Sequence, residues 1–112
     1  MTWTQFNSGT SIGTQGSEDG TIVADYEHEL GARITIERDG CFAPFAITCG
    51  IYGWFFHTCF LSSGEEADSA CMAMQSEMDT IIRSIPLTTD TDYDAKSAGV
   101  TDAISNFVDT FG

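Results

Sequence analysis

The chain has 112 residues, and its 42% hydrophobic and 12% aromatic content is typical of a globular protein rather than a disordered one. Seventeen acidic residues against four basic ones give a formal net charge of -13. This charge repels nucleic-acid phosphates and anionic membrane surfaces, so we expect neither nucleic acid nor a membrane as a partner. The acidity either keeps a small protein soluble or attracts a basic protein partner.

The composition shows no boundary between two hydrophobic cores, and a chain of this length can bury enough surface to fold alone. We therefore expect a single domain over 1–112, beginning with a loop-rich segment, 1–19, that has room for a short strand at 11–14. The first residues lack the basic region and apolar run of a secretory signal, and the four cysteines form no CxxC pair. These features predict a cytoplasmic protein whose thiols are reduced and buried.

Alternating apolar residues after position 20 predict an antiparallel hairpin. Its loop, 29–31, ends in glycine, as a three-residue hairpin loop favours. Counting outward from this loop sets Tyr26 opposite Ile34 and Ala24 opposite Ile36. The apolar side chains of both strands then share one face of the sheet.

The dipeptide Asp-Gly at 39–40 predicts a two-residue turn into a third strand. Counting outward from this turn pairs Ile36 with Ala43 and Ile34 with Phe45. The third strand is therefore expected to continue the same apolar face.

The third strand is predicted over about 41–49 and a fourth over about 54–61, connected through a glycine-containing turn. A two- or four-residue connection places Trp54, Phe56 and Phe60 on the core face, whereas a three-residue connection inverts the strand. The uncharged run 41–64 approaches the length of a membrane span. Its proline, glycines and β-forming residues favour strands instead.

Two helices are predicted after the strands. Ser63 and Glu66 have capping-box spacing, so we expect a long helix over about 64–85. A shorter C-terminal helix over about 96–111 follows an acidic linker, 86–95. The apolar stripe of the long helix consists of Ala67, Ala70, Cys71, Met74, Met78, Ile81, Ile82 and Ile85.

These elements predict an α+β fold, in which a four-stranded antiparallel β-meander (about 20–61) packs the long helix on one face. The opposite face of the predicted sheet combines polar and aromatic side chains, as ligand pockets commonly do. The candidate ligand-binding residues on it are Arg33, Thr35, Thr48, Phe55, His57 and Cys59. Alternatively, the C-terminal helix, the N-terminal segment or a second copy of the chain covers this face.

Other site chemistries fit the sequence poorly. Two close ligands on a tight turn are typical of structural zinc sites, and the residues with suitable side chains lack that spacing: Cys49, His57, Cys59 and Cys71. His57 and Cys59 are two positions apart on a strand, so their side chains point in parallel and form no nucleophile–base pair. His28 is expected to be exposed or to cap an element.

The segment Asp90–Asp94 resembles the opening of a calcium loop, but Ala95 replaces the required glycine and Thr101 the bidentate glutamate. A solvated acidic linker is the simpler interpretation. We therefore assign no metal site, no cofactor and no catalytic residue.

The sequence thus favours a small acidic interaction or regulatory protein that binds a protein partner, with a basic protein as a candidate, and forms a homodimer. The alternative is a small-molecule-binding domain or minor enzyme that uses the sheet face predicted to carry His57 and Arg33.

Overall fold

The structure is a computed structural model that describes residues 3–112. It contains an antiparallel sheet followed by two helices, which confirms the α+β fold class. Five strands lie in chain order across the sheet: β1 (Trp3–Gln5), β2 (Thr21–His28), β3 (Ala32–Arg38), β4 (Phe45–Ile51) and β5 (Phe55–Leu61). The helices are α1 (Gly64–Arg83) and α2 (Tyr93–Thr110).

The prediction of four strands was wrong because the N-terminal segment supplies a fifth. β1 pairs with β2, and the Trp3 indole N–H donates to the backbone oxygen of Gln75 in α1 at 3.1 Å. The Trp3 ring also meets His28 edge to face, with ring centroids 5.0 Å apart. A strand of three residues carries too little alternation to be recognised from sequence, so these tertiary contacts define it.

The first hairpin has the predicted register. Tyr26 pairs with Ile34 and Ala24 with Ile36, and Gly31 in the loop has the positive φ of 111° that a tight turn favours. A β-bulge near Val23 shifts the register at the start of β2.

The connection from β3 to β4 differs from the prediction. Ile36 pairs with Ile47 rather than Ala43, and Phe45 pairs with Arg38 rather than Ile34. β4 begins only after Pro44, which has no N–H to donate to the ladder, although its backbone oxygen accepts the Asp39 N–H at 2.9 Å. Gly40 does not form the predicted two-residue hairpin turn. It allows the backbone of Glu18 to approach closely, since a Cβ at position 40 would lie 2.7 Å from the backbone oxygen of Glu18.

The orientation of β5 is opposite to the preferred prediction. Ile51 pairs with Phe55, so the connection has three residues and contains Gly53 at a φ of 82°. The three-residue alternative is thus the one that the structure adopts. As a result, Phe55 faces the helices, and Phe56 faces the other side of the sheet.

The hydrophobic core lies between the sheet and α1. The predicted stripe of α1 is buried or partly buried along its whole length, and Ser63 accepts a hydrogen bond from the Glu66 backbone N–H as its N-cap. α2 closes one side of this core through Val100 and Phe107. Within residues 3–112, neither helix combines the length and apolar character that crossing a membrane requires.

Candidate interaction surface

The face of the sheet turned away from both helices, called here the open face, carries the side chains that the core does not use. In the central strands and β5 it is formed by Arg33, Thr35, Glu37, Ala46, Thr48, Gly50, Phe56, Thr58 and Phe60. The segment 6–20 crosses the half of this face that lies over β2 and β3. The part along β5 is left uncovered, since Phe56 and Phe60 are exposed, whereas Ala46 and Gly50 of β4 are buried.

The structure separates the six predicted site residues into two groups. Arg33, Thr35 and Thr48 lie on the open face, as expected. The expectation that the residues of β5 share this face was wrong, because the three-residue connection inverts that strand. The residues of β5 that turn instead toward the helices are Phe55, His57 and Cys59.

The contacts of these three residues are structural in kind. The Phe55 ring meets Phe107 of α2 with centroids 5.5 Å apart, and His57 Nε2 lies 3.1 Å from the backbone oxygen of Phe111. Cys59 is buried in the core. Phe55 and His57 thus fasten the end of α2 to β5, and none of the three residues shares a face of the sheet with Arg33.

Arg33 is engaged by a buried carboxylate. Its Nε and Nη2 donate to the two oxygens of Asp25 at 2.9 and 2.6 Å, and the hydroxyls of Thr35 and Ser11 each donate to Asp25 at 2.9 Å. Burial alone would raise the pKa of Asp25, but these hydrogen bonds outweigh it and hold the pKa below its ordinary value. The Arg33 guanidinium also stacks on Phe6, 3.6 Å from the ring centroid. The cluster ties the N-terminal segment to the sheet.

Glu37 is a second buried carboxylate on the same face. Its Oε1 accepts the backbone N–H groups of Glu18 at 3.0 Å and Gly20 at 2.8 Å. Its Oε2 is buried without a hydrogen-bond partner within the described residues. Gly16 lies against this carboxylate so closely that a Cβ would collide with it. Glu37 therefore fixes the loop 16–20 through backbone contacts.

A cavity of about 420 Å³ lies between residues 15–17 and the uncovered part of the open face. Gly50 lines this cavity between two other lining residues, since it pairs with Arg33 of β3 on one side and with Phe56 of β5 on the other. The Thr48 hydroxyl lies 3.4 Å from that of Ser17 and 3.3 Å from that of Thr58. The cavity is thus a half-open pocket with an aromatic wall and a few hydroxyl groups.

Exposed aromatic rings continue from the pocket across the open face. Phe42, Phe56 and Phe60 expose 80%, 75% and 46% of their surfaces. Phe42 and Phe60 contact each other edge to face, with ring centroids 6.0 Å apart, and the Phe56 ring lies over Gly50. We call these three residues the aromatic patch. Exposed apolar clusters on soluble proteins mark interaction surfaces more often than single exposed side chains do.

Sequence reasoning missed this patch in part. Phe56 and Phe60 were predicted to be buried, and Phe42 was assigned to a strand rather than to a loop. The available signal was the uncharged run 41–64, whose aromatic content exceeds what one helix covers. The length of the connection at Gly53 decides which aromatic residues are exposed.

All four basic side chains form ion pairs with carboxylates of the same chain. Arg33 pairs with Asp25, Arg38 with Asp39, Arg83 with Asp79 and Glu29, and Lys96 with Asp90 and Asp92. The negative charge that remains is therefore not compensated by any basic side chain of the same chain. It is available to a cationic partner.

Three of the four cysteines are buried as predicted, but Cys41 is exposed, and its thiol donates to Asp19 at 3.2 Å. Burial raises the pKa of Cys49 to about 12 and that of Cys71 to about 11, so these thiols stay protonated and weakly nucleophilic.

Of the two alternatives predicted for His28, exposure is wrong, because the side chain is buried, and the capping alternative fits, because its Nδ1 accepts the Leu30 backbone N–H after the end of β2; its Nε2 lies 2.7 Å from Asp79. Residues 3–112 contain no group of three or more His, Cys, Asp or Glu side chains arranged to hold a metal ion.

Comparison with protein-family models, with curated proteins and with solved structures finds no match to this chain.

Proposed function

We propose that this chain is an interaction protein that binds a basic protein partner through the aromatic patch of the open face. The observation that carries the proposal is three solvent-exposed phenylalanines on one face of the sheet, of which Phe42 and Phe60 contact each other, on a chain of net charge -13 whose basic side chains are all internally paired. Aromatic residues supply affinity at protein interfaces, and uncompensated charge supplies long-range attraction and partner choice.

The geometry favours a protein over a small ligand at this patch. Phe42 and Phe60 project from a loop and from β5, and neither is among the residues that line the 420 Å³ cavity. Rings that protrude outside a cavity bury enough area only against a large partner. Three buried cysteines and the absence of disulfides among the described cysteines support a reducing, cytoplasmic setting for this interaction.

The test begins with a photo-crosslinking amino acid at position 56, and at position 72 as the matched control. Met72 is exposed to a similar extent, 71%, but lies on α1. A protein crosslinked from position 56 and not from position 72 is then purified, and its dissociation constant is measured for the unmodified chain. Identification of a crosslinked protein alone does not count as support.

The decisive measurements use this purified partner. We expect Phe56→Ala to weaken binding by about tenfold or more, which is about 1.4 kcal/mol, and Met72→Ala to leave it unchanged. We also expect the affinity to fall as the NaCl concentration rises. A partner that is indifferent to Phe56→Ala and Phe60→Ala, or to salt, contradicts the proposal.

The 420 Å³ cavity supports a second candidate function, the binding of a small planar molecule against Phe56, with Arg33 and Thr48 beside it. Native mass spectrometry of the untagged protein tests this candidate, because a stoichiometric small molecule would be retained. The predicted homodimer stays a prediction, and the same spectrum reports it.

A further inference from the structure

The outer edge of β5 has no strand partner in the described part of the chain, since β5 is the last strand of the sheet. Its seven residues pair with β4 without a register shift, and they include no charged residue, proline or glycine. Natural sheet edges are normally blocked by charge, proline, a bulge or short length. The opposite edge, β1, has three residues in the part of the chain that the structure describes and thus follows this rule.

Side chains beside this edge are suited to an added strand. Phe56 and Phe60 lie at alternate positions of β5 and project from the open face, with Thr58 between them. Directly opposed side chains on neighbouring strands approach within about 5 Å, so an added strand would place its own apolar side chains against these rings. Backbone groups of β5 that do not bond to β4 would supply the hydrogen bonds.

The charges around β5 determine which occupant fits. Glu65 and Glu66 lie in the first turn of α1, three residues (62–64) after the end of β5, and Asp109 lies two residues before Phe111, whose backbone oxygen contacts His57. These three carboxylates are exposed, and in the described part of the chain they form no ion pair. A second copy would bring another net charge of -13 to the same edge. A basic segment would instead gain from every one of these charges.

We propose that β5 docks an extended basic segment of the partner protein as a sixth, edge-added strand of the sheet. This inference rests on the proposed function and specifies how the partner binds: backbone pairing along β5, apolar contacts with Phe56 and Phe60, and cationic side chains toward Glu65, Glu66 and Asp109. The partner segment is one in which basic and apolar residues alternate.

The experiment uses the full chain and a synthetic peptide as long as β5, made of alternating lysine and valine with blocked ends. The control peptide has the same composition with L and D residues in alternation, which prevents a regular strand. Amide hydrogen exchange is followed by NMR for β5 and β1 with each peptide. We expect every second amide of β5 to exchange on the order of tenfold more slowly with the L peptide, and no change with the control peptide or in β1.

The possible results separate the two proposals. Slower exchange at alternate β5 amides, weakened by the double variant Glu65→Gln/Glu66→Gln, supports strand addition. Peptide binding that depends on Phe56 but leaves the β5 amides unchanged, or no peptide binding at all, overturns strand addition; the crosslinked partner then decides the proposed function independently. Protection of β5 in the protein alone, together with a dimer by sedimentation, overturns the basic segment as occupant and assigns the edge to a second copy.

Discussion

Asp25 shows how a single carboxylate holds the N-terminal segment on the sheet. It is buried and accepts four hydrogen bonds, from Arg33, Thr35 and Ser11. Removing one partner of a buried ion pair leaves the other without compensation and typically costs several kcal/mol. Arg33 is partly exposed, which reduces that cost by solvent screening.

We therefore expect Asp25→Ala to lower the free energy of unfolding by about 2–4 kcal/mol, measured by urea denaturation. Arg38→Ala is the control, since the Arg38–Asp39 pair is exposed on both sides and should contribute less than about 0.5 kcal/mol. Equal effects of the two substitutions would show that the buried cluster does not stabilise the fold.

The lowered pKa of Asp25 also predicts the direction of the pH dependence. A carboxyl whose folded-state pKa lies below its ordinary value contributes its full stability above that value and loses it as the pH falls through the folded-state pKa. The wild-type chain should thus lose stability below about pH 4 more steeply than Asp25→Asn does. If the free energy of unfolding falls equally steeply below about pH 4 in both proteins, protonation of Asp25 does not cause the loss of stability.

Glu37 combines two strong contacts with one unpartnered oxygen. Replacing it with alanine leaves the buried backbone N–H of Gly20 and the partly buried one of Glu18 without their acceptor, and we expect a loss of about 2–4 kcal/mol. Glu37→Gln keeps the accepting oxygen and removes a buried charge that no basic side chain pairs, so it should cost less than about 1 kcal/mol. Urea denaturation of both variants measures this difference. Similar losses for the two variants would mean that the charge itself is required.

At the scale of the elements, the helices were more predictable than the strands. α1 repeats its apolar residues over five turns, and one misjudged position cannot displace the stripe. β5 depends on one connection, because a change of one residue in the length of that turn exchanges its two faces. The position of Phe56, and with it the candidate site, could therefore not be fixed from the sequence, whereas Arg33, Thr35 and Thr48 could.

The N-cap of α1 offers a test of the part that was predicted from local sequence. Ser63 accepts the Glu66 backbone N–H at 3.2 Å, so Ser63→Ala should lower the free energy of unfolding by about 1 kcal/mol. Ser76→Ala, at an exposed site within the same helix, should be neutral or slightly stabilising because alanine favours the helix. Thermal unfolding measures both variants, and a neutral Ser63→Ala would show that the cap is not needed once α1 packs on the sheet.

At the scale of the whole molecule, charge and exposed aromatic surface act in opposite directions. The aromatic patch and the β5 edge favour self-association, which apolar surface and unpaired backbone promote. The net charge of -13 opposes it, because two copies repel each other at low ionic strength. A chain of this kind can keep an apolar binding surface exposed and still favour a cationic partner over itself.

The same charge should make the stability of the chain depend on salt. Screening weakens both the exposed ion pairs and the repulsion among the surplus carboxylates, but exposed pairs contribute little individually, whereas the repulsion involves many groups. We therefore expect the free energy of unfolding to rise, on the order of 1 kcal/mol, from about 0.01 M to about 0.2 M NaCl, as measured by urea denaturation.

The triple variant Glu77→Gln/Asp102→Asn/Asp109→Asn removes exposed carboxylates that form no ion pair within residues 3–112. It should be more stable than the wild type at low salt and respond less to added salt. If the free energy of unfolding of the wild type falls with salt instead, the ion pairs outweigh the repulsion. The surplus carboxylates would then be compensated within the chain, which contradicts their proposed role in attracting a basic partner.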